Sequence, residues 1–365
     1  MKKLLLIAFS CFIILSCSDD DLPSDKDDIS IPGRTIYIAG YISDGISETA
    51  CYWVDGKKYE LPGGTEANGI VVKDGKVYVS GYDFGGSAVY WIDQQKFELP
   101  GNGGEGTAIA VHGNDVYVSG GFNSGSCYWK NGEKINLTTG RDSNAYGVDV
   151  NQTGDVFVGG YYMNNHHTLI PAFWKNGQRA NLSKPNGGDG EVIAVAMKNG
   201  NTPVYGGNTL RPHSFIGLLE KPSYWINGNR IDCKLGGSLD TISGGEARGI
   251  FVDGNDVYVA GNTSHFIFTN DGEEVEGTGG TYGHYWKNGN RNDLPGGPIN
   301  NYMVSDAYDV AVSDGKVVVV GSASSESASD VAAVWIDGEL NYLVDKNTKY
   351  SLCLLYTSPS PRDRG

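Results

Sequence analysis

Cys51-Tyr52-Trp53-Val54-Asp55-Gly56-Lys57-Lys58-Tyr59-Glu60-Leu61 is the first copy of a phrase that this chain spells seven times. The tryptophans fall at Trp53, Trp91, Trp129, Trp174, Trp225, Trp286 and Trp335. An aromatic precedes each of them except Trp335, which follows Val334. Asp-Gly or Asn-Gly follows six of them, as at Asn131-Gly132, Asn176-Gly177 and Asp337-Gly338. Eight residues after the tryptophan stands Leu61, Leu99, Leu137, Leu182, Leu294 or Leu343, with Cys233 in the fifth copy. The seven tryptophans read as structural repeat core, because one per repeat at fixed spacing is what packing demands.

Two further apolar runs precede the phrase in each repeat. The first, strand A, is Ala67 to Val72, matched by Ile109-Ala110-Val111, Ile193-Ala194-Val195, Ile250-Phe251-Val252 and Val310-Ala311-Val312. The second, strand B, is Val77-Tyr78-Val79-Ser80-Gly81, matched by Ile36-Tyr37-Ile38-Ala39-Gly40 and Val257-Tyr258-Val259. Strand C carries the tryptophan and strand D ends at the leucine. All four runs are short and rich in Val, Ile and aromatics, which is strand composition. Asp-Gly and Asn-Gly pairs between them supply the positive φ of tight hairpins. One antiparallel meander cannot bury both faces alone, and radial stacking of such sheets can. The expected fold is all-β, a seven-bladed β-propeller of four-stranded antiparallel blades over residues 34–351.

B, C and D occur seven times but A only six, because the chain enters the repeats at strand B near Ile36. The first blade is therefore expected to lack its innermost strand unless the C-terminus returns to supply it. Residues 352–365 carry no A-strand pattern. They resemble a translated sequencing adapter, so a truncated native C-terminus and a non-native tail are expected.

Residues 1–16 read as a lipoprotein signal peptide, with Lys2 and Lys3 ahead of an apolar run too short for a stable membrane span. Ile14-Leu15-Ser16-Cys17 resembles a lipobox, making Cys17 the lipid attachment site; the alternative is an ordinary signal peptide with a chance cysteine. Residues 17–33 read as the lipidated cysteine and an acidic flexible tether. Ser18-Asp19-Asp20-Asp21 resembles the acidic tag of surface-exposed lipoproteins in Bacteroidota; a solvated linker facing the periplasm is the alternative. The expected location is the outer membrane, lipid-anchored and facing the exterior. Without Lys2 and Lys3 the net charge is about −17. Such a surface repels phosphate backbones, so nucleic acid is not an expected partner. A monomer is expected. Cys51, Cys127 and Cys233 read as small buried hydrophobes, not disulfide partners.

Apart from two residues added before Leu235, repeat length varies where strand B leads to C and where D leads to the next A. Both connections emerge on one face of the disc. The candidate ligand face lies in the long stretches of blades four to six, with Tyr161, Tyr162, Asn165, His166 and His167, then Arg211, His213 and Phe215, then His265 and Phe266. Aromatics beside Asn, Arg and His suit contact with a sugar or a peptide, although ordinary surface loops carry such residues too. No ligand spacing for a metal is apparent, and the run Asp271 to Glu276 lacks calcium-loop spacing. No cofactor is expected.

Catalytic motifs are missing, among them Gly-x-Ser-x-Gly and a phosphate-cradling glycine loop. The phrase small-aromatic-Trp-x-Asn-Gly, with Ala-x-Gly-Ile and Gly-x-Val-x-Val-x-Gly, resembles bacterial extracellular repeats of the HAF type, most clearly at Ala172 to Gly177 and Ala247 to Ile250. That resemblance implies a structural repeat outside the cytoplasm and no catalytic residue. Two function classes stay open. One is a non-enzymatic surface binding module for a glycan or a protein. The other is a polysaccharide-degrading hydrolase or lyase on a propeller scaffold.

Overall fold

The computed structural model describes residues 29 and 31–357, apart from 44–45, 102, 123–124, 139–142, 214–216, 237–240, 268–280, 300–301, 325–330 and 344–349. The signal sequence and Cys17 lie outside the described residues. Seven antiparallel sheets form the seven blades. Blade two shows the unit: strand A Gly64–Lys73, B Lys76–Asp83, C Ala88–Ile92 and D Gln95–Glu98, paired in that order. Each A strand packs against the A strand of the next blade, and the series closes on itself around a central channel.

The C–D hairpin explains the Asp/Asn-Gly motif. Asp55 and Gly56 both take positive φ, 48° and 82°, as a two-residue turn of this hand requires. The turn side chain then accepts the first N–H of strand B. Asp55 Oδ1 takes it from Ile36, Asp93 from Val77, Asn131 from Val116 and Asn176 from Val156, at 2.8–2.9 Å. One short polar residue thus shapes a turn and caps a neighbouring strand.

The tryptophans lie between blades. Six of them are less than 2% exposed, and Trp53 is 4% exposed. In five blades the indole N–H donates to the carbonyl one residue past the leucine position of the preceding blade. The pairs are Trp91 to Pro62, Trp129 to Pro100, Trp225 to Ser183, Trp286 to Lys234 and Trp335 to Pro295, at 2.7–3.2 Å.

In blades two to seven one extra residue bulges strand A opposite the end of strand B, as between Ala67 and Gly69 or between Ala247 and Gly249. A bulge sharpens local twist and re-aims side chains. The last glycine of the strand B motif exists for this bulge. A Cβ on Gly81, Gly120, Gly160, Gly207, Gly261 or Gly321 would overlap the carbonyl oxygen of the strand A residue just before it.

Blade one draws three strands from the start of the repeats, Ile36–Ser43, Glu48–Val54 and Lys57–Glu60. Its innermost place is not empty, however. Tyr350–Thr357 pairs antiparallel with Ile36–Ser43, in register from Ile36↔Thr357 to Ser43↔Tyr350. Backbone pairing needs no A-strand side-chain pattern, which is why the sequence did not reveal it. The chain also packs against the propeller before residue 34. Ile29 and Ile31, each 4% exposed, pack with Trp53, Val318 and Leu343 between blades one and seven. Arg34 continues that join, placing Nε and Nη2 2.6 Å from the two carboxylate oxygens of Asp314.

Cys51, Cys127 and Cys233 are buried, and none forms a disulfide among the described residues. Burial pushes the Cys127 thiol up to about 12.

Candidate functional site

Strand A brings an acid or amide to the channel mouth in each of blades two to seven. Glu66, Glu105, Asn144, Glu191, Glu246 and Asp306 each stand directly before the residue that precedes the bulge. Each lies four residues before an apolar strand A position: Ile70, Ile109, Val148, Val195, Ile250 and Val310. Five of the six are acidic. The register puts them level with the end of strand B, on the face where repeat length varies.

Their interactions run from blade to blade. Glu66 bonds Tyr82 and feels Glu48 and Glu105 as neighbouring charges. Tyr146 bonds Asn144 and feels both Glu105 and Glu191. Its ring centroid is 6.1 Å from that of Tyr161. Glu191 bonds Asn208 and feels Glu246. Glu246 Oε2 is 2.9 Å from Arg248 Nη2, and the Arg248 guanidinium lies 5.1 Å from the Tyr308 ring centre. Asn262 Nδ2 donates to Asp306 Oδ1 at 2.6 Å. The ring is continuous from blade two to blade seven.

Burial raises the Glu66 and Glu191 carboxyls above their ordinary value, and neighbouring carboxylates add to the rise. Glu220, on strand C of blade five, is raised furthest in this cluster. Burial is the main cause, followed by the charges of Glu246 and Glu191 and a hydrogen bond with Glu246. Below the mouth, Gly69, Ala108, Gly147, Ala194 and Gly249 keep the strand A position after the bulge small, and Asp309 takes it in blade seven. Burial pushes the Asp309 carboxyl up to about 7, although it accepts the Val310 N–H at 2.9 Å.

The residues singled out from sequence that the structure describes take several different settings. Tyr161 joins the mouth through Tyr146. Tyr162 instead lies under Arg179, whose guanidinium carbon is 3.7 Å from the ring centroid. Asn165, His166 and His167 are exposed in a tight turn that Asn164 braces, its Oδ1 accepting the N–H groups of His166 and Thr168 at 2.9 and 3.1 Å. Arg211 and His213 occupy strand positions opposite Leu219 and Gly217, and His265 and Phe266 opposite Ser243 and Ile242. Phe215 and the run Asp271 to Glu276 lie outside the described residues. Among the described residues the long stretches of blades five and six are extended strand, with Thr202–His213 paired to Gly217–Ile226 and Thr241–Asp253 to Asp256–Ile267. Sequence reasoning missed the acidic ring. Its signal was an acid four residues before the strand A aliphatic, which the loop lengths overshadowed.

No family model matches the chain, and no curated protein matches it. The resemblance to HAF-type repeats rests on the quoted motifs alone. Solved structures do match at the level of the backbone. The β-propeller domain of the Trilobed protease from Pyrococcus furiosus is 12% identical with a TM-score of 0.48, over 86% of this chain and 96% of that one. A polysaccharide lyase of family PL25, an ulvan lyase, is 10% identical with a TM-score of 0.46, over 86% and 84%. The extracellular domain of the one-component system BT4673 from B. thetaiotaomicron is 10% identical with a TM-score of 0.41, over 80% of this chain and 38% of that chain. This chain therefore spans well under half the length of that protein. At such identities the likeness concerns the fold.

Proposed function

We propose that this chain is a lipid-anchored extracellular binding propeller that holds its ligand across the mouth of the central channel. The carrying observation is the ring of Glu66, Glu105, Asn144, Glu191, Glu246 and Asp306 at one register position. Carboxylates and an amide beside Tyr82, Tyr146 and Tyr161 suit the hydroxyls and apolar faces of a glycan, or the basic side chains of a protein. A rigid scaffold with one varied face is a common way to present such a surface. Acylation at Cys17 supplies the membrane link, since several acyl chains anchor stably.

A glycan array probed with the purified chain, with product analysis in parallel, tests this. Binding without turnover, weakened by Glu66→Gln with Glu191→Gln, is the expected result. For the anchor, Cys17→Ser should release the protein from membranes, and full retention of that variant would refute lipidation at Cys17.

One observation favours the enzymatic reading. Burial raises the Glu220 carboxyl to about 8 and it hydrogen-bonds Glu246, and a carboxyl raised in this way beside a second one is acid–base equipment. Cleavage of any array ligand that Glu220→Gln abolishes would move the chain into that class.

A further inference from the structure

The innermost place of blade one holds a strand that does not match it. In blades two to seven strand A gains one residue opposite the last two residues of the strand B motif. In blade two, for example, Ala67 faces Gly81 and Gly69 faces Ser80. The strand B glycine clears the carbonyl that the bulge pushes towards it, since a Cβ on Gly81 would lie 2.0 Å from the Glu66 oxygen. Blade one keeps this glycine. Gly40 faces Cys51, two residues before Trp53, as Gly81 faces Val89, two residues before Trp91. Yet Ala39 and Gly40 face the consecutive residues Leu354 and Cys353, with no bulge between them.

Two more mismatches come from the same register. Glu66 faces Tyr82 at the channel mouth, whereas the matching Tyr41 faces Leu352. A leucine thus takes the seventh place of the ring. Gly69 faces Ser80, whereas the matching Ala39 faces Leu354. That place is Gly or Ala in blades two to six because the next strand A runs close by. A Cβ on Gly69 would stand 3.1 Å from Ala108 Cα, and one on Gly147 2.9 Å from Ala194 Cα. Tyr350–Thr357 has such neighbours too, lying between the A strands of blades seven and two. A backbone ladder forms despite these mismatches, but strand B of blade one is shaped for a different partner.

We propose that this place is a docking slot for an extended strand of a second polypeptide, which displaces Tyr350–Thr357. The fitting strand reads acid, short apolar residue, any residue in the bulge, Gly or Ala, then an aliphatic. Glu66-Ala67-Asn68-Gly69-Ile70 is an example. When a peptide adds to a sheet, main-chain hydrogen bonds give affinity and the side-chain places give selectivity. Here Ile36–Ser43 supplies the ladder. Gly40 admits the bulge, and the close approach beside Ala39 admits only a small residue. Every stretch of these residues that carries the pattern is already built into a blade, so the fitting strand comes from another chain. Its acid takes the seventh place at the channel mouth. The strand register alone carries this slot, whatever the mouth binds.

The probe is a fluorescent peptide with the sequence of Gly64 to Lys73, added to the full chain at neutral pH. Binding is read by anisotropy, and strand exchange by hydrogen exchange with mass spectrometry. The peptide should bind saturably at one site. Amides of Tyr350–Thr357 should then lose protection while those of Ile36–Ser43 keep it. The Gly69→Leu peptide should bind at least tenfold more weakly. Gly40→Val in the chain should weaken binding of the original peptide at least tenfold, because its side chain meets the bulged carbonyl. N–H groups alternate in direction along a strand, so Leu354→Pro with Leu355→Pro removes a ladder donor from the resident strand. That double variant should bind the peptide several-fold more tightly. Absence of saturable binding to both the native chain and the double variant would overturn the proposal. So would equal binding of the two peptides, indifference to Gly40→Val, or binding that leaves Tyr350–Thr357 protected.

Discussion

The two faces of the disc solve different problems. On the even face, where strand A turns into B and C into D, one arrangement is copied. In blades three, four and six a lysine before the turn asparagine reaches an aspartate at the start of strand B. These pairs are Lys130–Asp115, Lys175–Asp155 and Lys287–Asp256, at 2.7–2.8 Å. Each lysine also lies 5.2–5.5 Å from the ring centre of an aromatic, Tyr117, Phe157 or Tyr258. Every partner belongs to the same blade. On the varied face the acids share a register, yet their partners differ: Tyr82, Asn208 and Arg248 lie in the acid's own blade, whereas Glu220 and Asn262 lie in the preceding one. One face keeps a single arrangement through its copies, and the other keeps a position whose partners have diverged.

The layer between the faces should dominate stability. Trp129→Ala removes a buried indole and its bond to Pro100, and should cost about 3–5 kcal/mol in denaturant unfolding. If that variant keeps its stability and loses only ligand binding, tryptophan is not the common support of both faces.

Asn131→Ala probes the even face. It leaves the Val116 N–H without its acceptor and removes a residue suited to positive φ, here 51°. The expected loss is about 1–2 kcal/mol, because a partly buried amide is left unpaired. Ligand binding on the opposite face should not change. Altered binding with unaltered stability would contradict the division between faces.

The fold was legible because its signals are local and repeated. Trp, Asp/Asn-Gly and Leu act at fixed offsets, so seven copies reinforce one reading. The acidic ring was less visible. Glu66 and Glu246 look like unrelated acids until the strand A register aligns them. Loop length led instead to His166 and His167, which sit exposed on a braced turn. Closure of blade one by Tyr350–Thr357 was illegible, since a backbone ladder places few demands on side chains. Trp174 and Trp225 sit in the same motif, and only the acceptor across the seam separates them.

Glu220 gives the varied face a pH signature. A carboxyl raised by folding binds its proton more tightly in the folded chain than in the unfolded one. Its contribution is complete below the unfolded value near 4.5 and is lost as pH rises towards the folded value of about 8. Glu220→Gln removes that dependence. The native chain should therefore lose on the order of 1 kcal/mol relative to the variant across this interval, after allowance for solvent screening. Parallel stability curves for the two proteins would show that the pair with Glu246 is not closed in solution.

The smallest effect belongs to the even face. Lys130→Ala removes an ion pair with Asp115 and a contact with the Tyr117 ring. Both charged side chains stand largely in water, at 43% and 38% exposure. Water screens such pairs, and ordering a long side chain offsets much of the attraction. Thermal melts of Lys130→Ala should overlay those of the native chain in low and in high salt. The arrangement then persists through copying with the repeat, not through any large contribution to stability. A clear fall in melting temperature at low salt that vanishes at high salt would reverse this. It would make the lysine–aspartate ladder a working part of the scaffold, and Lys175→Ala and Lys287→Ala should then show the same salt dependence in blades four and six.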